Sequence, residues 1–134
     1  MASDRIWPDR NEKRVILDSS AILMLFEFSI DLEDELTRLL GKFKIILPRP
    51  IVDELKFLSE SNDGKKRQKA KAALKLIKRY EIINEDGTGD DSILNLATKI
   101  NGVVVTNDHE LRRRIKDKSL KVIFLRGKSK LVLE

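Results

Sequence analysis

A chain of 134 residues, 41% of them hydrophobic, is long enough for one compact domain and too short for two ordinary ones. With no cysteine and a single histidine it holds no disulfide framework, thiolate zinc site, cysteine nucleophile or histidine-rich metal centre; any metal must be bound through oxygen, which favours Mg2+ or Mn2+. Its net charge of +5, from 27 basic and 22 acidic residues, suits a protein that attracts a polyanion and holds a cation, although an ordinary solvated surface gives the same balance.

The missing cysteines fit a reducing, cytoplasmic location, and with a charged fraction of 37% they lean towards a heat-tolerant source. The longest purely apolar run, Ala21–Phe26, is far below the roughly 18 residues that cross a bilayer. No membrane partner is expected. Residues 1–13 read as an N-terminal arm, with Trp7, Pro8 and several acids but no apolar segment of a signal peptide.

The domain proper, 14–134, opens on a buried strand, Arg14-Val-Ile-Leu-Asp18, that ends in an acid. Ser19–Phe28 reads as an apolar helix and Asp31–Leu40 as a second, closed by Gly41. Phe43–Leu47 is the next strand, and Pro50 suits the first turn of a helix over Ile51–Leu58. After a polar loop, Ser59–Gly64, a long helix is expected over Lys65–Tyr80, with Ala70, Ala73, Leu74 and Ile77 on one face. A short strand at Tyr80–Ile83 and a turn at Asn84–Gly89 lead into a helix over Asp90–Ile100. Gly102–Thr106 is a strongly apolar strand, followed by a helix over Asn107–Lys116, a strand at Lys121–Leu125 and a last extended piece at Leu131–Leu133. Strands that alternate with helices predict a single three-layer α/β/α sandwich around a mainly parallel sheet.

Such sheets bind ligands beyond the carboxyl ends of their strands. Asp18, Asp90 and Asp108 fall there, and Glu54 lies one turn into the helix after the second strand. Each has a plainer explanation. Asp18 can cap a helix, and Thr88 with Asp91, or Asn107 with Glu110, has capping-box spacing. Glu54 is not placed to cap. At about 100° per residue it borders the face of Ile51, Leu55 and Leu58, whereas Asp53 points away. Several carboxylates in one place repel, and a hard divalent ion resolves that repulsion. The set therefore predicts one or two ions that position water and stabilise charge on a phosphodiester.

Four segments, Val15-Ile-Leu-Asp18-Ser-Ser-Ala-Ile22, Leu47-Pro-Arg-Pro-Ile-Val-Asp-Glu54-Leu55, Asp90-Asp-Ser-Ile-Leu-Asn-Leu-Ala97 and Val103-Val-Val-Thr106-Asn-Asp108, resemble in order and spacing the motifs of the PIN-domain nucleases. The resemblance implies Mg2+- or Mn2+-dependent cleavage of single-stranded or structured RNA, and frequent homodimers. It assigns Asp18, Glu54, Asp90 and Asp108 as the metal-holding acids, with Asp91 an accessory and the hydroxyls of Ser19 and Thr106 in support. Asp90 is preferred to Asp91 because Ile93 and Ala97 then fall at the family's apolar positions. Two branches compete. The VapC-type toxins, which pair with an antitoxin, share all four motifs. Archaeal-type nucleases that mature small-subunit ribosomal RNA are similar also over Gly87-Thr-Gly-Asp-Asp-Ser-Ile93 and Thr106-Asn-Asp-His-Glu-Leu-Arg-Arg-Arg-Ile-Lys116.

Two basic stretches, one with Lys65, Lys66, Arg67 and Lys69 and one with Arg112, Arg113 and Arg114, are candidate RNA contacts. The few aromatics sit mostly in apolar runs, so recognition of the backbone is expected rather than of the bases. His109 reads as an exposed first-turn residue and not as a general base. The sequence thus predicts a metal-dependent endoribonuclease of ribosomal RNA processing, ahead of a VapC-type toxin and of a noncatalytic RNA-binding or ribosome-assembly module.

Overall fold

The computed structural model describes residues 12–134. Of the N-terminal arm, residues 1–11 lie outside the described part, and Lys13 already belongs to the first strand. The elements follow as β1 (Lys13–Leu17), α1 (Ser19–Phe28), α2 (Leu32–Leu40), β2 (Phe43–Pro48), α3 (Arg49–Leu58), α4 (Gly64–Ile77), β3 (Glu81–Ile83), α5 (Gly89–Ile100), β4 (Val103–Val105), α6 (His109–Asp117), β5 (Val122–Arg126) and β6 (Lys130–Leu133).

The six strands form one sheet in the order β3-β2-β1-β4-β5-β6, parallel throughout except for the antiparallel β5–β6 hairpin. Its centre is built from runs that have no polar face: Val15–Leu17, Ile45–Leu47 and Val103–Val105 are buried residue by residue. Strands covered on both faces require such runs, which is why they alternate neither in polarity nor in burial. Helices supply the cover. α5 contacts β1, β2 and β4, α2 contacts β2 and β6, α6 contacts β5, and α3 and α4 pack on each other. This is the three-layer α/β/α sandwich expected from the sequence. Among the described residues no helix is long and apolar enough to cross a membrane.

Four helices start on aspartate. Asp18, Asp31, Asp63 and Asp108 each accept a hydrogen bond from a backbone N–H of the first turn, satisfying donors that the helix itself leaves unpaired. Two capping boxes expected from spacing do not form. α6 begins at His109, so Asp108 and not Asn107 is its cap, and Glu110 instead pairs with Arg113. Thr88 stands at the cap position of α5 without a side-chain bond, and Asp91 turns to Arg114. α4 stops at Ile77, three residues short of the expected Tyr80. There the backbone tightens, with Arg79 N–H bonded to Leu76 O and Tyr80 N–H to Ile77 O, so that the chain can enter β3 beside β2.

Candidate active site

Register decides what stands at the carboxyl edge of the sheet. Leu17 of β1 pairs with Val105 of β4, so the residues after them, Asp18 and Thr106, emerge side by side. Thr106 is fully buried and its hydroxyl donates to Asp18 Oδ2. The same hydroxyl oxygen accepts from the backbone N–H of Asp108 at 3.0 Å, linking the first acid to the start of α6. Asp18 Oδ1 accepts from Ala21 N–H at 2.7 Å and from the Ser20 hydroxyl at 2.8 Å. Ser20, not named from the sequence, is thus the α1 hydroxyl on Asp18, and Ser19 stands half-buried at the first position of the helix.

Asp18 is only 5% exposed, and burial is the main reason its carboxyl is held above the ordinary range. The hydrogen bonds from Thr106, Ala21 and Ser20 favour the carboxylate, while the charge of Asp90 adds to the upward push. Asp90, in the first turn of α5, is also shifted upward, first by burial, then by the charge of Asp108, with Asp91 and Glu54 adding and Arg114 opposing. One carboxyl group therefore feels all the others: Asp18, Glu54, Asp91 and Asp108 each act electrostatically on Asp90 or are acted on by it. Gly87 helps set this turn. Its φ of +89° is a conformation that favours glycine, and a Cβ there would lie 3.1 Å from Cβ of Asp91.

Glu54 and Asp53 are both exposed, because Val52 joins Ile51 and Leu55 in the buried face of α3 and turns it away from Glu54. Glu54 thus reaches the acids from the solvent side, not from the margin of the core. Asp108 is exposed too, with Oδ1 bonded to Leu111 N–H at 3.0 Å. Among the described residues no group of three or more His, Cys, Asp or Glu side chains is drawn together closely enough to hold an ion directly. The donor set nonetheless fits Mg2+ or Mn2+. It is all oxygen, and Mg2+ keeps several waters when only one or two carboxylates touch it. Asp18, Asp108 and Asp90 also stand at or within the first turns of three helices, whose positive ends favour the charged carboxylates.

The cations are less free than their sequence suggests. Arg114 Nη2 lies 2.8 Å from Asp91 Oδ1, placing a guanidinium beside the acids. Arg113 pairs with Glu110 and Asp117, and Arg112 lies over the Phe124 ring, 3.6 Å from its centroid. Arg67 donates to Ser61 O and Lys69 is half-buried, whereas Lys65 and Lys66 are exposed at the start of α4. His109 is exposed in the first turn of α6. Two residues near the site were missed. Asn107 accepts from Leu125 N–H at 2.9 Å and donates to Met24 Sδ at 2.8 Å, tying the β4–α6 loop to β5 and α1. Phe57, one turn beyond Glu54, is 78% exposed. Helical phase could have found it, since at about 100° per residue it falls opposite Ile51, Val52 and Leu55.

Known proteins resemble this chain in sequence and in fold. Residues 15–128 match the family described as PIN like domain. The chain is 32% identical to ribonuclease VapC4 of Methanocaldococcus jannaschii over 120 residues, 86% of this chain and 92% of the relative. It is 28% identical to ribonuclease VapC9 of Archaeoglobus fulgidus, covering all of this chain and 98% of that protein. In fold it is similar to the PIN domain endonuclease Utp24, with a TM-score of 0.77, 24% identity and 92% of each chain covered. It is similar more loosely to VapBC-1 from nontypeable Haemophilus influenzae, with a TM-score of 0.56, 19% identity, and 78% of this chain and 93% of that one covered. With its family match over residues 15–128 and a relative 32% identical across most of both chains, the chain belongs to the PIN-domain nuclease family.

Proposed function

We propose that the chain is a metal-dependent endoribonuclease whose centre is formed by Asp18, Glu54, Asp90 and Asp108. The observation that carries this reading is the hydrogen-bonded chain Asp18–Thr106–Asp108 at the carboxyl edge of the sheet, with Asp90 of α5 near enough to act on it electrostatically and Glu54 of α3 near enough to act on Asp90. Asp18, Glu54, Asp90 and Asp108, with Asp91 as accessory, would hold an Mg2+ or Mn2+ ion in part through water, and such an ion would supply Lewis-acid stabilisation of the phosphate and a more acidic bound water. The protein's part is to keep oxygen donors fixed and mutually repelling. Thr106 and Ser20 hold Asp18 in one orientation from opposite sides, and the buried Thr106 hydroxyl couples that orientation to Asp108. Arg114 offsets part of the negative charge and stands where a phosphate of the substrate can compete with Asp91 for it. Hydrolysis then adds water to the phosphorus of an internal phosphodiester and breaks one of its ester P–O bonds.

Ribosomal RNA is proposed as the substrate because the stretch from Thr106 to Lys116 resembles that branch more closely. A second reading, a VapC-type toxin restrained by an antitoxin, is favoured by the names of the two sequence relatives. Either is expected to act as a homodimer in the cytoplasm. Incubation of the purified protein with precursor ribosomal RNA and Mn2+ or Mg2+ tests the proposal. Discrete cuts that vanish with EDTA and with Asp90→Asn are expected. Salt-sensitive binding without any cut would leave a noncatalytic RNA-binding module. Induced expression separates the two enzymatic readings, since a toxin arrests growth and a maturation nuclease does not.

A further inference from the structure

Among the described residues only Phe26, Phe57 and Leu133 are large hydrophobic side chains left exposed, and Phe57, at 78%, stands far beyond the other two at 39% and 36%. Single exposed apolar side chains are common and need no explanation by themselves. The setting of Phe57 does. It follows Glu54 by three residues and Asp53 by four on α3, the spacings that make side chains neighbours on a helix surface. Side chains on a helix lean towards its N-terminus, a direction that points Phe57 towards the turn that carries Glu54. On its other side α3 ends at Leu58, and the loop of residues 59–63 leads straight into α4, which packs on α3. There Asp63 accepts hydrogen bonds from the backbone N–H groups of Lys65 and Lys66, at 3.0 and 3.3 Å, and both side chains are exposed. An acid of the proposed centre, an exposed aromatic side chain and two exposed ammonium groups thus follow one another closely along the chain, from α3 through one short loop to the start of α4.

We infer that Phe57 is a base-stacking subsite for a nucleotide flanking the cleaved phosphodiester, with Lys65 and Lys66 taking the phosphates beyond it. An aromatic face accepts any base, and cations beside it follow the backbone; together they hold a strand without reading its sequence. The inference deepens the ribonuclease reading and rests on it. It adds one base contact to the backbone contacts expected from the sequence.

The test uses the full chain and a cleavage-resistant 2′-O-methyl oligouridylate, compared with the same backbone carrying abasic sites. In a Trp7→Phe/Phe57→Trp protein, position 57 holds the sole tryptophan. The oligouridylate should quench its fluorescence and the abasic strand should not. Phe57→Ala should weaken oligouridylate binding, and raise KM for cleavable RNA, about tenfold. kcat should stay within about twofold and Phe57→Trp should bind like the parent. Equal quenching by both strands, or unchanged binding and KM in Phe57→Ala while the parent cleaves RNA, would overturn the subsite alone. Unchanged binding in a Phe57→Ala protein that sediments as a smaller species than the parent would also overturn it, marking Phe57 as a contact between copies. A parent protein that neither binds nor cuts RNA would remove the ribonuclease reading and the subsite with it.

Discussion

Asp18 has two duties that oppose each other. As the cap of α1 it holds the helix start, which any Asp or Asn can do. In the proposed centre, as a buried carboxylate that feels the charge of Asp90, it would have to be charged to hold a cation, against its own desolvation. The two duties separate on mutation. Asp18→Asn keeps the cap and should lower RNA cleavage at least about 100-fold, as Asp90→Asn should, a loss typical of removing a preorganised charge from a catalytic centre. The effect on metal-free stability has the opposite sign. A carboxyl group whose folded pKa lies above its unfolded value contributes stability at low pH, and that contribution is lost as pH rises through the folded pKa. In EDTA, Asp18→Asn should therefore melt above the parent at neutral pH, with the gap closing on acidification. Calorimetric Tm values across pH 4–8, an interval of roughly that width around the carboxylate range, check the sign; a gap that widens towards acid would contradict it. Asp18, Asp90 and Asp108 could be proposed from the sequence because each ends or begins an element, whereas Glu54, inside α3, rested on its motif and helical phase. The bond between Thr106 and Asp18 could not, because it depends on the pairing of Leu17 with Val105, and strand register is not written in either segment alone.

At the scale of the elements, the sheet was the legible part. Val15–Leu17 and Val103–Val105 have no alternative to burial on both faces, and the turns between them left little choice of strand or helix. Helix ends were less legible. Lys78, Arg79 and Tyr80 extend a helical pattern that stops at Ile77 because β3 must reach β2, a constraint from outside the segment. The cap of α6 was displaced by one residue for a similar reason: Asn107 is engaged by Leu125 and Met24, which lie 18 and 83 residues away. That engagement makes a prediction of its own. Asn107→Ala leaves the Leu125 N–H without its acceptor and should destabilise the fold by about 1–2 kcal/mol in urea unfolding. Because the loop it fixes carries Thr106 and Asp108, cleavage should fall as well. Asn107→Asp, which keeps the acceptor, should recover more of the stability than of the activity, since it adds a charge beside the centre.

For the whole molecule, the net charge of +5 overstates what is available to a polyanion. Arg113 already has two carboxylate partners, Arg114 one and Arg112 an aromatic face, whereas Lys65 and Lys66 stand exposed. The salt dependence of RNA binding should reflect that difference. Lys65→Ala/Lys66→Ala should reduce the slope of log K against log salt by about 1.4, two phosphate contacts on a single strand, while Arg113→Ala should change it little. Basic stretches were visible in the sequence, but their partners come from other elements, so which cations remain for a ligand emerges only from the fold. The proposed ribonuclease centre requires the acids around Asp90 to hold a divalent ion. Its most direct test is cleavage of one end-labelled RNA by equal amounts of parent and Asp90→Asn protein, with Mn2+ and with EDTA. Internal cuts by the parent in Mn2+ only, and none by Asp90→Asn in either, are predicted. Cuts by the parent that persist in EDTA, or cuts by Asp90→Asn as fast as the parent's, would contradict it.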